Sequence, residues 1–148
     1  MAVIYLGLGT NLGHKEENLK IAVEKIKEEI GEVTSLSSFY ETAPWGFESD
    51  HSFLNAVVCV TSVYEPLEVL TVTQQIEREL GRTIKSTDGR YHDRIIDIDI
   101  LLYDDLILDT PDLKIPHPLM TERNFVMDPL REIAPELINP LTGRKLFD

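Results

Sequence analysis

Residues 95–103 read Ile95-Ile96-Asp97-Ile98-Asp99-Ile100-Leu101-Leu102-Tyr103, an alternation suited to an extended strand. Successive side chains of a strand point to opposite faces. Ile96, Ile98, Ile100 and Leu102 are therefore expected to enter a core, while Asp97 and Asp99 stand side by side on the other face. Outward from this strand the chain alternates element types. Residues 3–8 form a first strand running into a glycine loop, and residues 18–30 carry Leu19, Val23, Ile26 and Ile30 at helical spacing, with Gly31 as the stop. Residues 33–40 and 55–63 are β-rich and flank a loop holding Pro44, Trp45, Gly46 and Phe47. Pro66 opens a second amphipathic helix with Val69, Ile76 and Leu80 on its apolar face and Gly81 at its end. After residue 103 come proline-punctuated segments and one short helix over 125–133, disturbed at Pro129. The order βαββαβ predicts an α+β, ferredoxin-like sandwich. In that arrangement an antiparallel sheet carries both helices on one face, and short C-terminal elements follow.

Composition bounds the function. The 148 residues hold 14 Lys+Arg against 26 Asp+Glu, a net charge of −12. That balance argues against wrapping nucleic acid or lying on anionic lipid, both of which would repel the chain at long range. No stretch approaches the ~20 apolar residues of a membrane span, and the start lacks the basic region of a signal peptide, so a cytoplasmic protein is expected. At roughly 150 residues per domain, residues 1–148 make one domain able to fold without disulfides. The single Cys59 sits in the apolar run Ala56-Val57-Val58-Cys59-Val60 and reads as a small buried hydrophobe.

Asp97 and Asp99 are the sharpest chemical feature. Like charges so close repel unless a cation lies between them, and hard oxygen ligands suit Mg²⁺ with substrate phosphates completing its octahedron. The alternative is a solvated strand face with two unrelated acids. Residues 82–94 add Arg82, Lys85, Arg90 and Arg94 against Asp88 and Asp93, so positive charge gathers beside the acid pair in an acidic chain. Arginines folding over a metal-bound polyphosphate would stabilise charge in phosphoryl transfer. The alternative, a solvated loop, explains the polarity, but a loop this long inside a compact domain is more often a lid or binding loop. Gly7-Leu8-Gly9-Thr10-Asn11-Leu12-Gly13 has the wrong spacing for a dinucleotide fingerprint and reads as a tight strand-to-helix turn. Trp45, Phe47, Phe53 and Phe125, each a packing residue by itself, could with Asn55 sandwich a flat heterocycle and read its edge. The histidines His14, His51, His92 and His117 show no zinc spacing. His117, between two prolines, either bonds phosphate or fills a turn.

These residues in this order resemble the 6-hydroxymethyl-7,8-dihydropterin pyrophosphokinases of folate biosynthesis. The resemblance runs from Tyr5 to Leu137. Its pieces are Gly9-Thr-Asn-Leu-Gly13, Ser38-Phe-Tyr-Glu-Thr42, Phe53-Leu-Asn-Ala56, Gln74 through Arg82, Arg94 through Asp99, and Pro116-His117 through Arg123-Asn-Phe125 to Glu132-Ile-Ala-Pro135. It implies a ferredoxin-like enzyme that moves pyrophosphate from ATP to the pterin hydroxymethyl group, with two Mg²⁺ ions held by Asp97 and Asp99. Arg82, Arg94, His117 and Arg123 would engage the ATP phosphates; Gln74, Glu77 and the backbone of Ile100 would meet the nucleoside. Thr42, Trp45, Phe53, Asn55 and Phe125 would form the pterin pocket of a monomeric enzyme with no nucleic-acid or membrane partner. Three departures touch the arginine loop. Tyr91-His92-Asp93-Arg94 stands where the family has Trp-Gly-Pro-Arg, Ile84 replaces an arginine, and the loop is slightly longer. Lys85 or Arg90 would have to supply the missing charge, though lysine lacks the guanidinium fork. The competing classes are a small-molecule-binding module, which needs neither acids nor arginines, and a pterin aldolase or epimerase, which needs no ATP.

Overall fold

In the computed structural model, residues 1–42, 52–81 and 96–147 are described. The main sheet is built around β1 (Ala2–Thr10), which pairs antiparallel with β4 (Phe53–Ser62) on one side and β5 (Asp97–Tyr103) on the other. β2 (Glu32–Leu36) and the three-residue β3 (Tyr40–Thr42) both pair antiparallel with β4, so the long strands lie in the order β2-β4-β1-β5. Residues 33–40, expected as one strand, are divided: the chain leaves β2 after Leu36 and rejoins the sheet at Tyr40. Leu108–Asp109 (β6) and Lys114–Ile115 (β7) form a separate small hairpin.

Two helices cover one face. α1 (Lys15–Glu29) buries Leu19, Ala22, Val23 and Ile26, the stripe its 3.6-residue period predicts. Its C-terminus is closed by Ser62, whose buried hydroxyl donates to the Ile30 carbonyl at 2.8 Å. The chain then turns at Gly31, where a Cβ would lie 1.9 Å from the Thr61 carbonyl oxygen, so only glycine fits. α2 (Pro66–Gly81) starts with Pro66 in its first turn, and the Glu68 carboxylate reaches back to accept the Glu65 N–H at 3.0 Å. Ile4, Leu6 and Leu8 of β1, Ala56, Val58 and Val60 of β4, and Ile96, Ile98 and Ile100 pack against these helices.

The opposite face is covered as well. α3 (Asn124–Ile133), a 3₁₀ turn at Met120–Glu122 and the C-terminal Phe147 form a second apolar cluster with Val57, Leu101 and Leu102. Leu102 thus corrects the expectation that it joins the helix-side core. The pairing of β1 with β5 skips a residue, Tyr5 opposing Leu102 and Leu6 opposing Ile100, so Leu101 is an extra residue that resets the alternation. Leu101 and Leu102 consequently face the same cluster. α3 runs through Pro129, which is buried in it. Among the described residues no helix is long and apolar enough to cross a membrane.

Candidate active site

Paired residues of neighbouring antiparallel strands place their side chains on the same face. Tyr40 opposes Asn55, Asn55 opposes Gly9, and Gly9 opposes Asp97, so these residues lie in one row across four strands. In the next rows Thr42 opposes Phe53, and Val57, Gly7 and Asp99 line up. All stand on the face that α3 covers. Because Gly7 and Gly9 have no side chains, this face sinks into a cleft of about 430 Å³ whose floor is the β1 backbone. A Cβ on Gly9 would lie 3.1 Å from the Asn55 Oδ1 and 3.7 Å from the Phe53 ring. The glycine motif read as a turn therefore has two parts: Gly13, with φ +66°, makes the turn, and Gly7 and Gly9 make the floor. Glycines at i and i+2 of a strand are the signal that this face is open.

Thr42, Phe53, Asn55, Asp97, Asp99, His117, Arg123 and Phe125 all line this cleft. Asn55 is buried and donates its amide Nδ2 to the Thr42 hydroxyl at 2.8 Å, which sets how it meets a ligand. Phe53 comes from the sheet and Phe125 from the helix above it, giving apolar surface from two elements. The Arg123 guanidinium carbon lies 5.6 Å from the Phe125 ring centroid, a distance at which cation and ring attract. His117 reaches the cleft because its N–H donates to the carbonyl of the bulge residue Leu101 at 3.0 Å. Burial, and secondarily the charge of Arg123, holds its imidazole below the ordinary histidine range against the pull of Asp97. Nδ1 accepts the Leu119 N–H at 3.2 Å, so in the neutral ring the proton is on Nε2. The His117 ring thus holds its own turn and also lines the cleft.

Glu77 joins the acids from the other side of β5. As the outer strand of the sheet order, β5 has backbone groups turned away from β1, and the Glu77 carboxylate accepts the Ile98 N–H at 2.8 Å. Its carboxyl is pushed up to about 7, chiefly by burial and further by the negative charge of Asp97 and Asp99, against the lowering effect of the Ile98 bond. Gln74 is exposed on α2, and the Ile100 side chain is buried in the core, so only its backbone can meet a ligand. Arg82, Arg94 and Trp45, with Lys85, Arg90, Tyr91 and His92, lie outside the described residues.

Chemically, the cleft offers two phenyl rings, a fixed amide and a hydroxyl at one end, and at the other two carboxylates with a neutral imidazole and a guanidinium. That is a site for a flat polar ring beside anionic groups and a hard cation. It places the chain among enzymes that bring a heterocycle to a phosphate donor. Residues 5–135 match the 7,8-dihydro-6-hydroxymethylpterin-pyrophosphokinase family, and the chain belongs to it. The 2-amino-4-hydroxy-6-hydroxymethyldihydropteridine pyrophosphokinase of Porphyromonas gingivalis is 53% identical over 138 residues, 93% of this chain and 94% of that protein. Its counterpart from Aquifex aeolicus is 41% identical over 146 residues, 99% of this chain and 89% of that protein. In fold the chain is also similar to the Plasmodium falciparum HPPK-DHPS crystal structure. The TM-score is 0.74 at 19% identity, covering 98% of this chain and 40% of that one.

Proposed function

We propose that this chain transfers pyrophosphate from ATP to the hydroxymethyl oxygen of 6-hydroxymethyl-7,8-dihydropterin, releasing AMP, in folate biosynthesis. The observation that carries the reading is the single cleft in which Asp97 and Asp99 share a glycine floor with Asn55, Phe53 and Phe125, in a chain of this family. The pterin ring lies between Phe53 and Phe125, its edge read by Asn55 and Thr42, with the Trp45 backbone completing the pocket. His117 and Arg123, with Arg82 and Arg94, bind the phosphates; Gln74, Glu77 and the Ile100 backbone meet the nucleoside. The whole of 1–148 acts as one domain and as a monomer in the cytoplasm. Its topology is ferredoxin-like, as the strand order and the antiparallel pairing support.

The donor set fits Mg²⁺. Two carboxylates on one strand face are what that ion takes from a protein when phosphate oxygens and water fill the rest of its octahedron. Asp97 and Asp99 would supply the protein's carboxylates, with substrate phosphates and water completing the shell. Two such ions, held by Asp97 and Asp99, would neutralise phosphate oxygens and polarise the bridge between them. The chain's own part is to align the alcohol with the β-phosphorus and to stabilise charge with arginine and imidazole donors. The alcohol oxygen bonds to the β-phosphorus, the bond from that phosphorus to the α-phosphate oxygen breaks, the electron pair leaves on AMP, and the alcohol proton passes to solvent. Incubation of the protein with the pterin alcohol, ATP and Mg²⁺ is expected to yield AMP and pterin diphosphate. Formation of ADP, or no pterin-dependent turnover, would overturn the reading.

A further inference from the structure

We propose that Glu132 is a positioning residue that ties the helix carrying Phe125 to the short strand carrying Thr42, and so sets the spacing of the cleft's two walls. The proposal rests on the pterin end of the cleft as read above. Phe125 and Glu132 are 132 − 125 = 7 positions apart in α3, close to two helical turns, so they share one stripe about 10 Å apart along the axis. At one end of that stripe Phe125 enters the cleft. At the other, the Glu132 carboxylate accepts the Ser38 N–H on both oxygens at 3.0 Å, the Ser38 hydroxyl at 2.9 Å and the Tyr40 hydroxyl at 2.7 Å.

These partners sit where the sheet is weakest. β3 has three residues and, among the described residues, pairs only with β4. Three paired residues give little independent strand stability, yet Tyr40 opposes Asn55 and Thr42 accepts the Asn55 amide. A shift of β3 would move the hydroxyl that orients Asn55. The anchor is a charged acceptor with donors from both a backbone and two hydroxyls, the stronger sort of hydrogen bond. Tyr40 and Glu132 sense each other accordingly: the bond raises the phenol above its ordinary range and lowers the carboxyl below its own. The two sequence motifs that carry Ser38-Phe-Tyr-Glu-Thr42 and Glu132-Ile-Ala-Pro135 thereby meet at one carboxylate.

The test compares wild type with Glu132→Ala and Glu132→Gln, the latter keeping one acceptor oxygen in the same shape. Amide hydrogen exchange across Ser38–Thr42 reads the tie directly, without substrate. Steady-state kinetics then separate KM for the pterin alcohol, KM for ATP and kcat. Glu132→Ala is expected to speed exchange in that segment and raise the pterin KM about tenfold, the scale of losing hydrogen bonds to a charged group. The ATP KM should stay within about twofold, and Glu132→Gln should recover part of the pterin KM. Unchanged exchange overturns the tie. Faster exchange with an unmoved pterin KM, or with pterin and ATP KM rising together, overturns its positioning role. A wild type that forms no AMP from the pterin alcohol overturns the functional reading, and with it the pterin half of this proposal, while the exchange result still decides the tie.

Discussion

Asp97 and Asp99 stand opposite glycines, so nothing on β1 shields their carboxylates from a ligand or from each other. Removing either is expected to abolish pyrophosphate transfer with the fold intact. A loss of at least a hundredfold, about the size of deleting one electrostatic contact in an active site, should appear in kcat. Near-normal turnover in either Asp97→Ala or Asp99→Ala would sink the metal assignment. The floor gives a contrasting pair. Gly9→Ala puts a methyl 3.1 Å from Asn55 Oδ1 and should raise the pterin KM by about tenfold, since overpacking costs about 1–3 kcal/mol. Gly7→Ala meets Leu101 at an ordinary 3.5 Å and should be milder. Equal effects of the two would refute the floor geometry.

β5 is the element on which sequence and tertiary structure divide. Its alternation was legible up to Ile100, because period-two patterning shows directly which side chains share a face. The bulge at Leu101 was not, because Ile-Leu-Leu is apolar throughout and no pattern marks where the phase resets. The Ile98 N–H that Glu77 accepts was equally hidden, since whether a strand is an edge depends on the sheet order. A pH dependence follows from this contact. Glu77 holds its proton more tightly folded, at about 7, than at the ordinary 4.5, so its contribution to stability is complete below about pH 4.5 and is lost as pH rises through about 7. Without metal, the Tm of wild type measured against Glu77→Gln should therefore decline between those values. A flat difference would contradict the buried, acid-crowded setting. At the end of α1, Gly31→Ala should lower stability by at least about 2 kcal/mol in a denaturant titration, because the backbone of Ser62 and Thr61 cannot retreat as a side-chain tip would.

Over the whole molecule the net charge of −12 makes the folded state repel itself. Raising monovalent salt from about 10 mM to 200 mM shortens the screening length from about 30 Å to below 10 Å, so the Tm of the metal-free protein should rise. A falling Tm would mean that specific ion pairs, such as Lys25 with Glu79 at 2.6 Å, outweigh that repulsion. The same scale explains the two-sided sheet. α1 and α2 supply one apolar cluster; α3, the 3₁₀ turn and Phe147 supply the other, and the cleft is the part of the second face where glycines replace apolar side chains. The C-terminal elements, expected only as short additions, thus roof the candidate site.

By itself the sequence determined the α+β class, the order of the long strands and the helices, the pairing of Asp97 with Asp99 on one face and the residue types that mark the family. Each of these is written in local period, in breakers or in motif order. The gathering of Asn55, Gly9 and Asp97 into one row was decided only by the tertiary structure, since strand register joins positions far apart in the chain. So were the reset at Leu101, the edge contact of Glu77 and the reach of Glu132 to Ser38 and Tyr40. Those depend on which strand lies beside which and on the face that a helix covers, and no local pattern of side chains encodes that.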